Sequence, residues 1–275
     1  MAPIDPLDGA SVESHLVFEV TEPTVLALQI AVAASVPLVR EVLAVEIDGA
    51  PVEAEAVDPG LGNRVHMVTL RPGRASVRYA AEVAPGGPPE PVTPDPGASL
   101  VWLRQSRYSP SDLLEGLIAR ELGDLRGTPD AAREVGRWVF KRVTYRAGAS
   151  GPGDTAIDTL LHSEGVCRDF AHLTVAACRS LGLPARSVAV YAPGLAPMDF
   201  HAVAEVAGPD GWEIIDATRL APRPSLVRIA TGRDAADTAL VTTVQGYAEL
   251  LEASVTAVTR GSLPRDDHES RVRVR

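Results

Sequence analysis

Three residues have the chemistry of a nucleophilic catalytic centre: Cys167, His201 and Asp216. A thiolate attacks carbonyl carbon, an imidazole moves protons near neutral pH, and a carboxylate orients the imidazole and stabilises its charged form. Cys167 follows Gly165 and opens an apolar pattern of helical period. In the first turn of a helix, unpaired N–H groups and the positive end of the dipole favour a thiolate over a thiol and can hold an oxyanion. Taken alone, a cysteine at such a place is more often a small buried residue.

The spacing of His201 and Asp216 predicts that they meet across a β-hairpin. Between two strand-forming runs lies a four-residue turn at 207–210. Pairing Val206 with Gly211 across this turn places His201 directly opposite Asp216, and opposed residues on antiparallel strands have Cβ atoms about 5 Å apart. A cross-strand ion pair on the surface is the competing interpretation.

Other polar residues near the predicted helix start are expected to be structural. Cys178 lies eleven residues after Cys167, which is about 16 Å along a helix and too far for a disulfide, so we expect it in the core. His172 is rotated about 140° from Cys167 around the helix, and we expect it and Asp169 to bond neighbouring loops. The glycine-rich segment 148–153 lacks the Lys-Ser/Thr of a phosphate loop and is expected to form a flexible rim of the cleft. No pair of His or Cys residues has the spacing of a zinc site.

The first part of the chain predicts a β-rich accessory domain, residues 1–95, of β-sandwich type. Short β-branched runs alternate there with turn formers; they span residues 12–20, 25–32, 39–47, 65–70 and 75–83. Residues 84–98 contain nine Pro or Gly in fifteen positions. Such a segment fits a linker, with a long loop between paired strands as the alternative.

Residues 96–275 predict an α+β domain. Start signals for helices occur at 109–112 and 128–130, and Asp154 is placed to cap a short third helix. The helix that begins near Cys167 is followed by runs of strand type rather than by further helices. This order predicts a cysteine-bearing helix packed on an antiparallel sheet.

Composition excludes several classes of function. The formal net charge is −10, so the chain has no basic field that would attract nucleic acid or an acidic membrane surface. The longest apolar stretch, 25–39, is too short to span a bilayer. The first residues have neither the basic nor the apolar region of a secretory leader, and two cysteines do not make a disulfide framework. The sequence therefore predicts a cytoplasmic protein without nucleic-acid or membrane partners.

Five blocks of sequence occur in an order that resembles a known family. They are G-V-C-R-D-F-A-H-L at 165–173, G-L-P-A-R at 182–186, H-A-V-A-E-V at 201–206, G-W to D-A-T at 211–218, and G-R-D-A-A-D at 232–237. The pattern is similar to the transglutaminase-like superfamily, and the last block is similar to its bacterial cysteine protease and amidase branch, which carries an N-terminal β region. The resemblance implies a papain-like transglutaminase core and gives the roles of a Cys-His-Asp triad to Cys167, His201 and Asp216.

Two positions depart from the family pattern. Ala202 stands where most members have a large aromatic residue, and Ala217 stands where the family often has proline. Neither is one of the three triad positions. The pattern does not identify the side chain of an oxyanion hole, for which Tyr145 is a candidate.

The resemblance implies cysteine-dependent acyl transfer on a peptide, protein or small amide or ester, without metal or cofactor. Hydrolysis and transfer to an amine would use the same three residues. A non-catalytic peptide- or protein-binding module that keeps the fold is the alternative. The sequence leaves the oligomeric state open.

Overall fold

The computed structural model describes residues 8–87, 90, 92, 95–208 and 210–274. Seven strands precede the first helix: β1 (Ala10–Val20), β2 (Thr24–Leu28), β3 (Leu38–Ile47), β4 (Ala50–Val52), β5 (Ala54–Val57), β6 (Val65–Leu70) and β7 (Gly73–Val83). Four of the five runs that the sequence predicts as strands lie within β1, β3, β6 and β7; the fifth, 25–32, extends four residues beyond β2. The turn between β3 and β4 uses Asp48 and Gly49, both with positive φ, as two-residue hairpins require.

The middle of the chain supplies the helices and two short strands. These are α1 (Pro96–Leu103), α2 (Ser111–Leu122), α3 (Ala131–Arg142), β8 (Thr144–Tyr145), α4 (Ala156–His162), β9 (Glu164–Gly165) and α5 (Cys167–Ser180). Six strands follow: β10 (Ala185–Tyr191), β11 (Phe200–Gly208), β12 (Gly211–Ile215), β13 (Val227–Gly232), β14 (Val241–Gln245) and β15 (Ala248–Thr259). The predicted linker 84–98 lies partly outside the described residues. Its end is not a linker, because α1 begins at Pro96, a residue that fits the first turn of a helix.

An antiparallel sheet with the order β12-β11-β10-β13 supports helix α5. Every residue of α5 from Asp169 to Ser180 is buried. Leu173 and Ala177 of the helix share a core with Ala204 and Val206 of β11 and with apolar side chains of α2 and α3. This packing confirms the predicted α+β class, in which a cysteine-bearing helix lies on an antiparallel sheet.

Apart from β8 and β9, which pair with each other, the remaining strands form a β-sandwich. One sheet has the order β15-β1-β7-β3-β4 and the other the order β14-β2-β6-β5. The sandwich core continues into the central sheet through Tyr191 of β10, whose hydroxyl donates to the Ile30 carbonyl at 2.8 Å and contacts the Ser14 hydroxyl at 3.1 Å. The two parts therefore share apolar packing rather than meeting only through a linker.

The positions of the last two strands, β14 and β15, differ from the predicted domain division. The sequence assigns everything after residue 95 to the α+β domain. In the structure β15 pairs with β1 from Ala10↔Thr259 onward, and β14 pairs with β2. Residues 241–259 therefore complete the sandwich, because β1 and β2 each need a second neighbour to satisfy their backbone groups.

The segment after β15 returns to the central sheet. The Ile214 N–H donates to the Val272 carbonyl at 2.8 Å. Val272 and Val274 are buried in a core with Ile214 and Leu226. Arg271 and Arg273, which alternate with these valines, are only partly buried. None of the described helices is long and apolar enough to cross a membrane.

Gly136 lies at a close contact between α3 and β12. A Cβ atom at this position would lie 2.6 Å from Cγ2 of Ile215. Alanine would gain up to about 1 kcal/mol of helix propensity, but overpacking costs about 1–3 kcal/mol. We therefore expect Gly136→Ala to lower the free energy of unfolding, measured by urea denaturation.

Gly116 of α2 supplies the matched control, since an added Cβ there has no neighbour within 4 Å. Gly116→Ala should keep or raise the stability. Equal gains from both substitutions would show that α3 and β12 are not in tight contact.

Candidate active site

The start of α5 is fixed by one carboxylate. Cys167 is the first residue of the helix, and the preceding Val166 is extended, with φ −105° and ψ 179°. Oδ2 of Asp169 accepts the Val166 N–H at 2.7 Å. The N–H groups of the first helical turn have no intrahelical acceptor, so those at Cys167 point out of the helix start beside the thiol.

The glycine-rich segment 148–153 lies against this helix start. The Ser150 hydroxyl donates to Asp169, and Nη2 of Arg168 donates to the Gly151 carbonyl at 2.7 Å. The prediction that Asp169 bonds a neighbouring loop is confirmed. These bonds hold the segment next to Cys167, as expected for a rim of the cleft, and they restrict its motion.

His201 is the second residue of β11, and only 2 % of its surface is exposed. Its Nε2 atom lies 2.9 Å from Oδ2 of Asp216. The other ring nitrogen, Nδ1, is therefore left for Cys167, which interacts with the imidazole and helps to raise its pKa. The structure thus brings all three predicted residues into one contact chain.

Asp216 directly follows β12 and is held by Thr218. Its Oδ1 atom accepts the Thr218 N–H at 2.9 Å and the Thr218 hydroxyl at 2.7 Å. Both oxygens of the buried carboxylate therefore have hydrogen-bond partners. Oδ1 bonds to Thr218, which orients the carboxylate, and Oδ2 bonds to His201. Thr218 was not among the predicted site residues; an Asp-x-Thr pattern after a strand is the signal for such a turn.

The predicted turn of the β11–β12 hairpin is wrong. Gly208 pairs with Gly211 and Val206 pairs with Glu213, so the register differs by two residues from the predicted pairing. The chain can close the tighter turn because Gly211 adopts a φ of +100°. Asp216 is then a diagonal neighbour of His201 rather than its direct partner. Diagonal neighbours have a Cβ separation of about 7–8 Å, which the side chains of His201 and Asp216 bridge.

The electrostatics of the pair favour a charged imidazole. Burial by itself lowers the pKa of His201, but the charge of Asp216 and hydrogen bonds to Asp216 and Cys167 outweigh it and raise the pKa to about 10. Burial likewise favours the neutral form of Asp216, yet the charge of His201 and the bonds from His201 and Thr218 keep its pKa below the usual value. The site therefore stabilises an ion pair inside the protein.

Tyr145, the candidate for an oxyanion hole, lies near the thiol. Its ring centroid is 6.1 Å from that of Phe170 in α5. Burial and, next, the charge of an ionised Cys167 raise the pKa of its hydroxyl. The phenol is thus a proton donor on the Cys167 side of the cleft, and its role in an oxyanion hole stays a prediction.

Two residues of α5 that the sequence assigns to structure are indeed in the core. Cys178 is fully buried, and burial raises the pKa of its thiol. His172 is also fully buried; its Nε2 accepts the Ala235 N–H at 3.1 Å, and its ring stacks on Tyr108. Both predictions are confirmed. Among the described residues, no group of three or more His, Cys, Asp or Glu side chains is placed to hold a metal ion.

Comparison with known proteins agrees with this geometry. The sequence profile of the transglutaminase-like superfamily matches residues 115–217, which include Cys167, His201 and Asp216. A solved structure from Cytophaga hutchinsonii, described as a proposed cysteine protease, is 30% identical and covers 97% of this chain and 96% of its own, with a TM-score of 0.87. The chain belongs to the transglutaminase-like superfamily. Membership supports an enzyme that works through a cysteine.

Curated relatives match only in part. An uncharacterized protein of Mycobacterium leprae is 30% identical over 89 residues, 32% of this chain and 32% of its own length. An uncharacterized protein of Mycobacterium tuberculosis is 36% identical over 62 residues, 22% of this chain and 20% of its own length. The match therefore spans a third or less of these curated relatives.

The different surroundings of the two cysteines predict different reactivity. Cys167 is partly exposed at a helix start, whereas Cys178 is fully buried and its thiol is held protonated by burial. We expect iodoacetamide near neutral pH to alkylate Cys167 much faster than Cys178, as read by peptide mapping with mass spectrometry. Equal labelling, or faster labelling of Cys178, would contradict the assignment.

The His201–Asp216 contact makes stability depend on pH. A raised pKa stabilises the folded state fully below the unfolded value, about 6.5 for histidine, and this contribution is lost as pH rises through the folded value, about 10. Since Asp216→Asn removes the main source of the raised pKa, we expect its loss of stability to be largest near pH 6 and to shrink toward pH 10.

Urea denaturation at both pH values measures this difference. Asp112→Asn, an exposed substitution in the first turn of α2, is the control, because its effect should not change between the two pH values. A loss for Asp216→Asn that is the same at both values would show that His201 is not held charged by Asp216.

Proposed function

We propose that this protein is a cysteine-dependent hydrolase or acyltransferase that acts on an amide or ester through a thioester at Cys167. The observation that supports it best is the contact chain from Asp216 through buried His201 to the thiol at the start of α5. A buried ion pair of this kind is costly to build in a protein core, and it has the geometry of an activated nucleophile.

In the first step, Cys167 Sγ attacks the carbonyl carbon and forms the C–S bond. The carbonyl π electrons move to oxygen, and N–H groups at the start of α5 are placed to stabilise that oxyanion. When the tetrahedral intermediate collapses, the bond to the leaving amine or alcohol breaks, and imidazolium His201 gives its Nδ1 proton to the leaving group. Asp216 keeps the imidazole in the required tautomer.

In the second step, neutral His201 accepts a proton from water or from an amine. The activated acceptor attacks the thioester carbonyl, and collapse of the second intermediate releases the acyl product and regenerates the Cys167 thiolate beside the imidazolium. Hydrolysis and transfer differ only in the acceptor.

Hydrolysis of a peptide or small amide is the activity that we favour. The Cytophaga hutchinsonii protein, which resembles this chain over nearly its whole length, is described as a proposed cysteine protease. Lys141 is the only lysine of the chain, so cross-linking between copies of this protein has a single acceptor side chain. Peptides and small amides are thus the first substrates to test.

A screen of fluorogenic peptide amides and aryl esters tests the proposal. Cys167→Ala should abolish turnover, whereas Cys178→Ala, a change in the same helix, should keep it. We expect Asp216→Asn to lower kcat by about 10³- to 10⁴-fold, since it favours the wrong imidazole tautomer and removes charge stabilisation. Circular dichroism controls for folding.

Two outcomes would decide against the proposal. Turnover that survives in Cys167→Ala would assign the activity to other residues. Binding of peptides without turnover or thioester formation in the native protein would favour a non-catalytic binding module. Adding a primary amine during turnover separates the two reactions, because aminolysis product rises with amine concentration only if the thioester is open to amines.

A further inference from the structure

A cavity of about 440 Å³ lies apart from Cys167, His201 and Asp216, and none of the three lines it. Loops of the sandwich form one wall, with Ser35 and Leu61. The central sheet forms the other. This volume lies in the range of sites that hold small organic ligands.

The floor of the cavity is a buried cluster with more positive than negative charge. Glu205 is 1 % exposed and accepts from both Arg186 and Arg228: Nε of Arg186 donates at 2.8 Å, and Nη1 of Arg228 donates at 2.9 Å. The two guanidinium groups hold the pKa of Glu205 at about 2 despite its burial. Two cations on one anion leave an excess of one positive charge. Arg273 and the exposed Glu90, which carry opposite charges, also line the cavity.

Both arginines keep donors that this cluster does not use. Arg186 bonds through Nε and Nη2, and Arg228 bonds through Nη1 and Nη2. Nη1 of Arg186 and Nε of Arg228 make no hydrogen bond within the described parts of the chain. Neither atom is among the fully buried side-chain atoms that lack a partner, so both N–H groups remain accessible and can donate to an acceptor inside the cavity.

The walls around this floor are apolar. Trp212 lies against Arg186, whose Cζ atom is 3.8 Å from the ring centroid. Pro37, Leu61 and Val274 contribute further apolar surface. A planar cation on an aromatic ring, with aliphatic walls above it, suits a ligand that has an anionic end and an apolar body.

We propose that this cavity is an accessory binding site for a small organic carboxylate with an apolar body. A carboxylate matches the planar donor fork of arginine, and its single negative charge matches the excess charge of the cluster. Phosphate, with more charge and no apolar portion, fits it less well. The site does not use the thiol, so it is independent of the proposed reaction.

Isothermal titration with 3-phenylpropionate tests the site on the full-length protein. 3-Phenylpropan-1-ol, which lacks the charge, and inorganic phosphate, which lacks the apolar body, should each bind at least about tenfold more weakly, or about 1.4 kcal/mol. Alkylating Cys167 with iodoacetamide should leave the affinity for 3-phenylpropionate unchanged. Affinity that disappears on alkylation would place the ligand in the cleft and overturn the proposal.

Substitution of Ser35 gives a matched pair of variants that does not disturb the buried cluster. Ser35 is exposed in a turn at the cavity wall. Ser35→Glu adds a carboxylate that competes for the arginines and repels the ligand, so it should weaken binding about tenfold or more. Ser35→Gln, of the same size without charge, should change it by less than about threefold.

Three results would overturn the assignment. They are no heat of binding with 3-phenylpropionate up to about 10 mM, equal binding of phosphate or of the alcohol, and equal effects of Ser35→Glu and Ser35→Gln. Circular dichroism on both variants confirms that any change in affinity is not a loss of folding.

Discussion

A single buried guanidinium, that of Arg179, holds the helix on which the thiol depends. Only 4 % of this residue is exposed, and it donates to the carbonyls of Trp102, Ala185 and Arg233 and to the hydroxyl of Ser106. Burial lowers its pKa to about 10, which still leaves it charged at neutral pH. These hydrogen bonds connect α5 to the end of α1, the start of β10 and the loop after β13. The position of Cys167 relative to the sheet that carries His201 is set by this anchor.

The loop after β13 gives the helix a second support closer to the thiol. Asp234 accepts from the backbone N–H of Tyr108 and of Ala236, and His172 accepts the N–H of Ala235. Tyr108 stacks on the His172 ring, so the two supports share one layer of packing. This explains the G-R-D-A-A-D block, which lies more than 30 residues beyond His201 in the sequence. The block acts through α5 rather than through the reacting atoms.

The sequence predicted the site better than it predicted the pairing that builds it. Residue type and position alone indicated Cys167 at a helix start and a strand-borne His201 near Asp216. The hairpin register was wrong by two residues, yet the contact forms. Side chains alternate between the faces of a strand with a period of two, so a shift of two residues keeps the same face. The orientation of Asp216 depends on Thr218, and the hairpin register depends on Gly208 and Gly211 of the turn. These contributions become evident only in the folded structure.

Pairing between distant parts of the chain could not be predicted in this way. Residues 241–259 have an ordinary strand composition, and nothing local in it shows that their partners are β1 and β2 rather than β13. Arg179 was missed for a related reason. A lone arginine near the end of a helix usually interacts with its terminal carbonyls or with solvent, and its burial becomes evident only when the loops that surround it are in place.

The pairing of β15 with β1 has a consequence for the order of folding during synthesis. The ribosome releases β1–β7 first, but one side of β1 has no partner until residues 248–259 emerge. Domains otherwise tend to fold in the order in which they are made. Here the α+β part can assemble around α5 while the sandwich is still open. The sandwich can therefore close only after β15 has emerged, and until then β1 offers an unpaired edge to other chains.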